Sequence, residues 1–105
     1  MSEIKQTVNR AKNAKLKQDI QTLVEELTVL ISENIANTEL LHARAKLLIK
    51  LQLYGKAIND YREILTLDNS DKYAAGQVEM LSTILRFSGN DIYANPNTNL
   101  DPWME

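Results

Sequence analysis

Thr38-Glu39-Leu40-Leu41-His42-Ala43-Arg44-Ala45-Lys46-Leu47-Leu48-Ile49-Lys50-Leu51, followed after one residue pair by Tyr54-Gly55-Lys56-Ala57-Ile58-Asn59-Asp60-Tyr61, places two apolar runs on either side of a short break. Leu41, Ala45 and Leu48 recur at the three- and four-residue steps that line up side chains on one helix face, and Ala57 and Tyr61 do the same in the second run. A small residue with an aromatic one turn later lets two helices approach closely. Residues 38 to 71 therefore read as one helix-turn-helix unit of about 34 residues, with Tyr54-Gly55 expected in the interhelix turn.

The unit resembles the tetratricopeptide repeat (TPR) family. Ala57 and Tyr61 match its small residue and aromatic. Leu41 stands where the family has an aromatic, Arg44-Ala45 where it has Leu-Gly, Leu48 where it has Tyr, and Asn69 where it has the closing Pro. Counting back one period reaches Ile4, and residues 4 to 37 form a degenerate repeat with Ala11 and Leu27 as its matches; counting forward reaches Lys72. The likeness covers residues 4 to 87 and is similar to small stand-alone bacterial TPR proteins.

The periodicity of the remaining chain agrees with this division. Ile4, Val8 and Ala11 form a weak stripe over residues 2 to 14, and Ile20, Leu23, Val24, Leu27, Leu30 and Ile31 a strong one over 19 to 33. Asn37 or Thr38 is a candidate N-cap for the helix over 40 to 51, which is apolar on most sides and so has to be covered from more than one direction. Further helices are expected over 56 to 67 and, behind the turn residues 68 to 71, over 72 to 87, ending near Ser88-Gly89. Both prolines, Pro96 and Pro102, fall in the last ten residues. The expected fold is all-α: a right-handed α-solenoid of two antiparallel helical hairpins plus a capping helix, five helices in one domain over 1 to 89. An irregular Asn- and Pro-containing tail over 90 to 105 follows.

Composition narrows the function classes. At 105 residues, 44% hydrophobic and 25% charged, the chain has core enough for one domain. A net charge of -2 argues against general nucleic-acid binding, which relies on clustered Lys and Arg. No cysteine is present, which excludes disulfides and leaves the redox compartment open. The N-terminal stretch has no apolar signal core and no apolar run approaches the ~18 residues of a membrane span, so a cytoplasmic protein is expected. His42 is the only histidine and has no companion ligands, so no metal, cofactor or catalytic site is expected and the chain reads as a non-enzyme. His42 is then a groove or surface histidine, with pH-dependent ligand contact as the other option.

The family resemblance implies a protein-protein interaction module whose first helix in each hairpin lines a concave groove. It places Lys5, Asn9 and Lys12 there from the first unit, His42, Lys46, Ile49 and Lys50 from the second, and Tyr73, Gln77 and Met80 from the closing helix. The second helix carries Asp19, Glu25, Glu26 and Glu33, so charge is segregated by layer. A basic groove concentrates acidic ligands, which points to an acidic peptide or partner segment bound by an adaptor that is a monomer or weak homodimer. The plain alternative is that these lysines are the solvated face of amphipathic helices. Tyr54 and Tyr61 are expected to be packing residues.

Trp103, the only tryptophan, lies in Leu100-Asp101-Pro102-Trp103-Met104-Glu105, three large apolar side chains beside two acids. Such a cluster reads as an anchor that docks in the chain's own groove or a neighbour's, against the alternative of an unattached terminus. The second functional reading is accordingly a structural or self-assembling protein whose tail fills that groove.

Overall fold

The computed structural model describes residues 3–88 and is all-α, with α1 (Glu3–Asn13), α2 (Lys17–Glu33), α3 (Thr38–Lys50), α4 (Tyr54–Leu67) and α5 (Lys72–Ser88). The connections are three or four residues long, so neighbours in sequence run antiparallel and form two hairpins with α5 closing the second. The expected stop at Gly89 and the tail over 90 to 105 lie outside the described residues. No helix among the described residues is long and apolar enough to cross a membrane.

α3 is the centre. Leu40, Ala43 and Leu47 pack with Val8, Ala11, Ile20, Leu23, Leu27 and Leu30 of the first hairpin. Leu41, Ala45 and Leu48 pack with Ala57, Ile58, Tyr61 and Ile64 of α4 and Ala74 and Leu81 of α5. At about 100° per residue these two stripes point roughly 130° apart, so one helix serves two cores. Its breadth of apolar sequence follows from that position. Each of its four buried leucines contributes about 2 kcal/mol of transfer free energy, more than any surface interaction in the chain.

Arg44 occupies the seam between the two stripes on the α2 and α4 side. Its guanidinium donates to both carboxylate oxygens of Asp60, at 2.9 and 2.7 Å, and to the Thr28 hydroxyl at 3.1 Å. Asp60 is buried, 5% exposed, and that burial raises its pKa above the usual 3.8 even though Arg44 pulls it down. Because the unfolded carboxyl gives up its proton first, acid does not weaken the fold through Asp60; stability falls as pH rises through the folded value. What matters for this pair is that neither partner is left alone.

The helix ends explain where the turns fall. Asn37 caps α3, its side-chain oxygen accepting from the Leu40 N–H at 3.1 Å, and Asp71 caps α5 by accepting from the Ala74 N–H at 2.9 Å. The turn expected at Tyr54-Gly55 is instead made by Leu51, Gln52 and Leu53, and both Tyr54 and Gly55 belong to the first turn of α4. Gln52 N–H bonds to the Ile49 carbonyl at 2.8 Å and Leu53 N–H to that of Leu48 at 2.9 Å. This pairing satisfies the last carbonyls of α3 and requires a left-handed residue, which Gln52 supplies at φ 62°. Similarly, α2 begins at Lys17, two residues before the apolar stripe.

Two outcomes test this description. Gln52→Gly removes the left-handed penalty and should raise the unfolding free energy by about 0.5–1 kcal/mol in urea melts, whereas Gln52→Val should lower it. Arg44→Ala leaves Asp60 buried without its partner and should cost about 3 kcal/mol at neutral pH, most of it recovered in Arg44→Met/Asp60→Leu.

Candidate functional site

With two faces of α3 committed to core, its third stripe is Glu39, His42, Lys46 and Lys50, spaced at three and four residues. α1 lies beside this stripe, burying Val8 and Ala11 while leaving Lys12 exposed. Between the two helices runs a groove of about 540 Å³. Val8, Ala11 and Ala43 form its apolar floor, and Lys12, Lys46, Lys50, His42, Thr38 and Glu39 its polar rim. Lys5, Asn9 and Lys12 with Glu39 line an adjoining depression of about 400 Å³, so the basic surface extends toward the start of α1.

Three of the rim groups also hold the fold. Lys50 donates to the Ala14 carbonyl at 3.0 Å, just past the end of α1, where a cation is favoured by the helix dipole. His42 Nε2 lies 2.8 Å from Asp71 Oδ2, tying α3 to the cap of α5. Lys46 Nζ sits 5.4 Å from the centre of the Tyr73 ring, a cation–π contact that brings α5 to the edge of the groove. His42, Tyr61 and Tyr73 pack as an aromatic trio with ring centres 5.8 to 6.0 Å apart. The Tyr61 hydroxyl is buried with no hydrogen-bond partner in reach among the described residues, and that burial, ahead of the neighbouring Tyr73, raises its pKa.

The structure thus unites Lys12, His42, Lys46 and Lys50 around one groove, with Lys5 and Asn9 beside it. Tyr73 borders it through Lys46 and His42. Gln77 and Met80, further along α5, do not line the groove, Met80 being exposed and Gln77 half-buried. Ile49 does not face the groove: it packs against the second core, because it adjoins Leu48 at the stripe that meets α4 and α5. Trp103 lies outside the described residues. The floor residues Val8, Ala11 and Ala43, and the acidic Glu39 within the rim, are not among the groove residues expected from the sequence, which places Val8 and Ala11 only on the apolar stripe of the first helix. Their signal is the small size of Ala11 and Ala43, which opens the cleft. On the outer side Glu26 is paired with Arg10 at 3.0 Å, so part of the acidic layer is neutralised by α1.

Asp71 shows how the site and the fold share electrostatics. The Ala74 N–H, and after it the His42 ring, hold its carboxyl below the usual 3.8. Among the described residues no group of three or more His, Asp or Glu is placed to hold a metal ion. No family model, curated protein or solved structure matches the chain.

Because the folded carboxyl of Asp71 titrates below the unfolded one, its stabilisation is complete above 3.8 and is lost as pH falls through the folded value. Asp71→Asn keeps the cap and removes the charge. Its melting temperature should fall less steeply than that of the parent below 3.8, read as the slope of thermal midpoint against pH.

Proposed function

We propose that the chain is a non-enzymatic interaction module of the TPR type that binds an acidic, apolar-containing peptide segment of a partner protein in the groove between α1 and α3. The observation that carries this reading is the pairing of an apolar floor with a lysine rim in one cleft. The floor offers dispersion contacts and apolar burial. The rim, Lys12, Lys46 and Lys50 against a single Glu39, selects carboxylates and repels basic segments. Lys12 has no ion-pair partner among the described residues, so its charge is available to a ligand.

Peptide recognition of this kind draws on a rim that is already ordered. The tie of Lys50 to Ala14 fixes the width of the cleft, and the contact of Lys46 with Tyr73 fixes its far edge, so little ordering remains for the ligand to impose. The module works in the cytoplasm, in the manner of small bacterial TPR proteins, as a monomer or weak homodimer. Its ligand is protein rather than membrane or nucleic acid, in keeping with a net charge of -2.

Titrating the isotope-labelled protein with a synthetic peptide of alternating Leu and Glu tests the reading. Amide shifts should cluster around Lys12, Ala43 and Lys46, and affinity should fall several-fold between roughly 50 and 500 mM salt. Lys12→Glu/Lys46→Glu should abolish binding. Shifts spread over α2 and α4, or binding indifferent to salt, count against it.

A further inference from the structure

α5 carries three large side chains that the fold covers only in part: Tyr73, Met80 and Phe87 are 50%, 47% and 75% exposed. They are seven residues apart, so they form one stripe along the helix, roughly 130° from the stripe of Ala74, Val78, Leu81 and Leu85 that meets the core. Tyr73 touches His42 and Lys46, which places this stripe on the same side of the stack as the α1–α3 groove. That side of the protein therefore has two halves: a basic cleft on α1 and α3 and an aromatic-apolar strip on α5. Lys46 belongs to both.

One segment of this chain matches both halves. Leu100-Asp101-Pro102-Trp103-Met104-Glu105 combines three large apolar side chains with two carboxylates and no cation. Its reach is sufficient. Lys50 at the end of α3 meets Ala14 just past the end of α1, and Tyr73 near the start of α5 meets His42 near the start of α3. These three helices thus run in the same direction, and Ser88 lies at the Lys50 end of the groove. The residues between Ser88 and Leu100 can span up to about 40 Å, against about 25 Å for the length of α5, so the segment can return along the whole face.

We propose that residues 100–105 of the same chain are the resting occupant of this face. Trp103 lies on the α5 strip, and Asp101 and Glu105 face Lys12 and Lys46, so that a partner segment binds by displacing them. This rests on the reading of the groove as a peptide site, and it adds that the site is regulated by competition from within. A tethered competitor acts at an effective concentration in the millimolar range, enough to weaken capture of modest ligands tenfold or more while leaving strong ones able to bind.

Trp103 is the only tryptophan, so its fluorescence in the full chain reports on this segment alone. The expected result is an emission shifted to the blue and quenched by acrylamide several-fold more slowly than in a free hexapeptide of sequence 100–105, both independent of protein concentration. Lys12→Glu/Lys46→Glu should return both readings to those of the hexapeptide, and Asp101→Lys/Glu105→Lys added to that variant should restore them. The hexapeptide should also bind the full-length Trp103→Ala/Asp101→Lys variant roughly tenfold more tightly than the parent. Emission and quenching equal to the free hexapeptide overturn the proposal, as does a blue shift that survives the lysine reversals. A shift that appears only with rising concentration overturns it in favour of a second copy. If the hexapeptide still perturbs Lys12 and Lys46 amides in the Trp103→Ala/Asp101→Lys variant, the groove reading stands without self-occupancy; if it does not, both fail.

Discussion

The burial of α3 on two sides is the constraint from which the rest of the structure follows. Leu40, Ala43 and Leu47 are owed to one hairpin and Leu41, Ala45 and Leu48 to the other, so the helix has just two strips left over. One strip is the narrow seam occupied by Arg44, where a charge is tolerated because Asp60 and Thr28 meet it. The other carries Glu39, His42, Lys46 and Lys50, and it becomes the wall of a groove because α1 lies beside it with small residues facing inward. The location of the candidate site is thus a remainder left by core packing.

The charges on that remainder have two roles at once. Lys50 completes the end of α1, His42 reaches the cap of α5, and Lys46 lies over an aromatic ring. A groove whose rim also ties the helices together is shaped before any ligand arrives, which favours recognition without large rearrangement. It also sets a limit on variation, since replacing a rim residue disturbs the neighbouring helix as well as the ligand.

Much of the fold was legible in the sequence because apolar spacing is a local signal. The five helices and the two-sided exposure of α3 to neighbours were readable from intervals of three and four, and Asn37 was one of two cap candidates in the polar break before α3. The turn lies before Tyr54-Gly55 because the left-handed position that ends α3 falls on Gln52, where the Leu48 and Ile49 carbonyls are satisfied, and glycine is not required there. The site was legible in outline: Lys12, His42, Lys46 and Lys50 do surround one cleft. What spacing does not encode is the partner of each charge. Arg44 and Asp60, His42 and Asp71, and Lys50 and Ala14 are brought together only by the tertiary packing, and Ile49 turned inward for the same reason.

Val24 and Ile31 of α2 touch both hydrophobic clusters, alongside the shared helix between them. Arrays of helical hairpins commonly unzip from one end, each unit depending only on its neighbour. Here the first hairpin and the second draw on the same side chains and the same backbone, so melting either exposes apolar surface that belongs to the other. The two cores are coupled through these shared side chains, and the expected unfolding is a single cooperative transition.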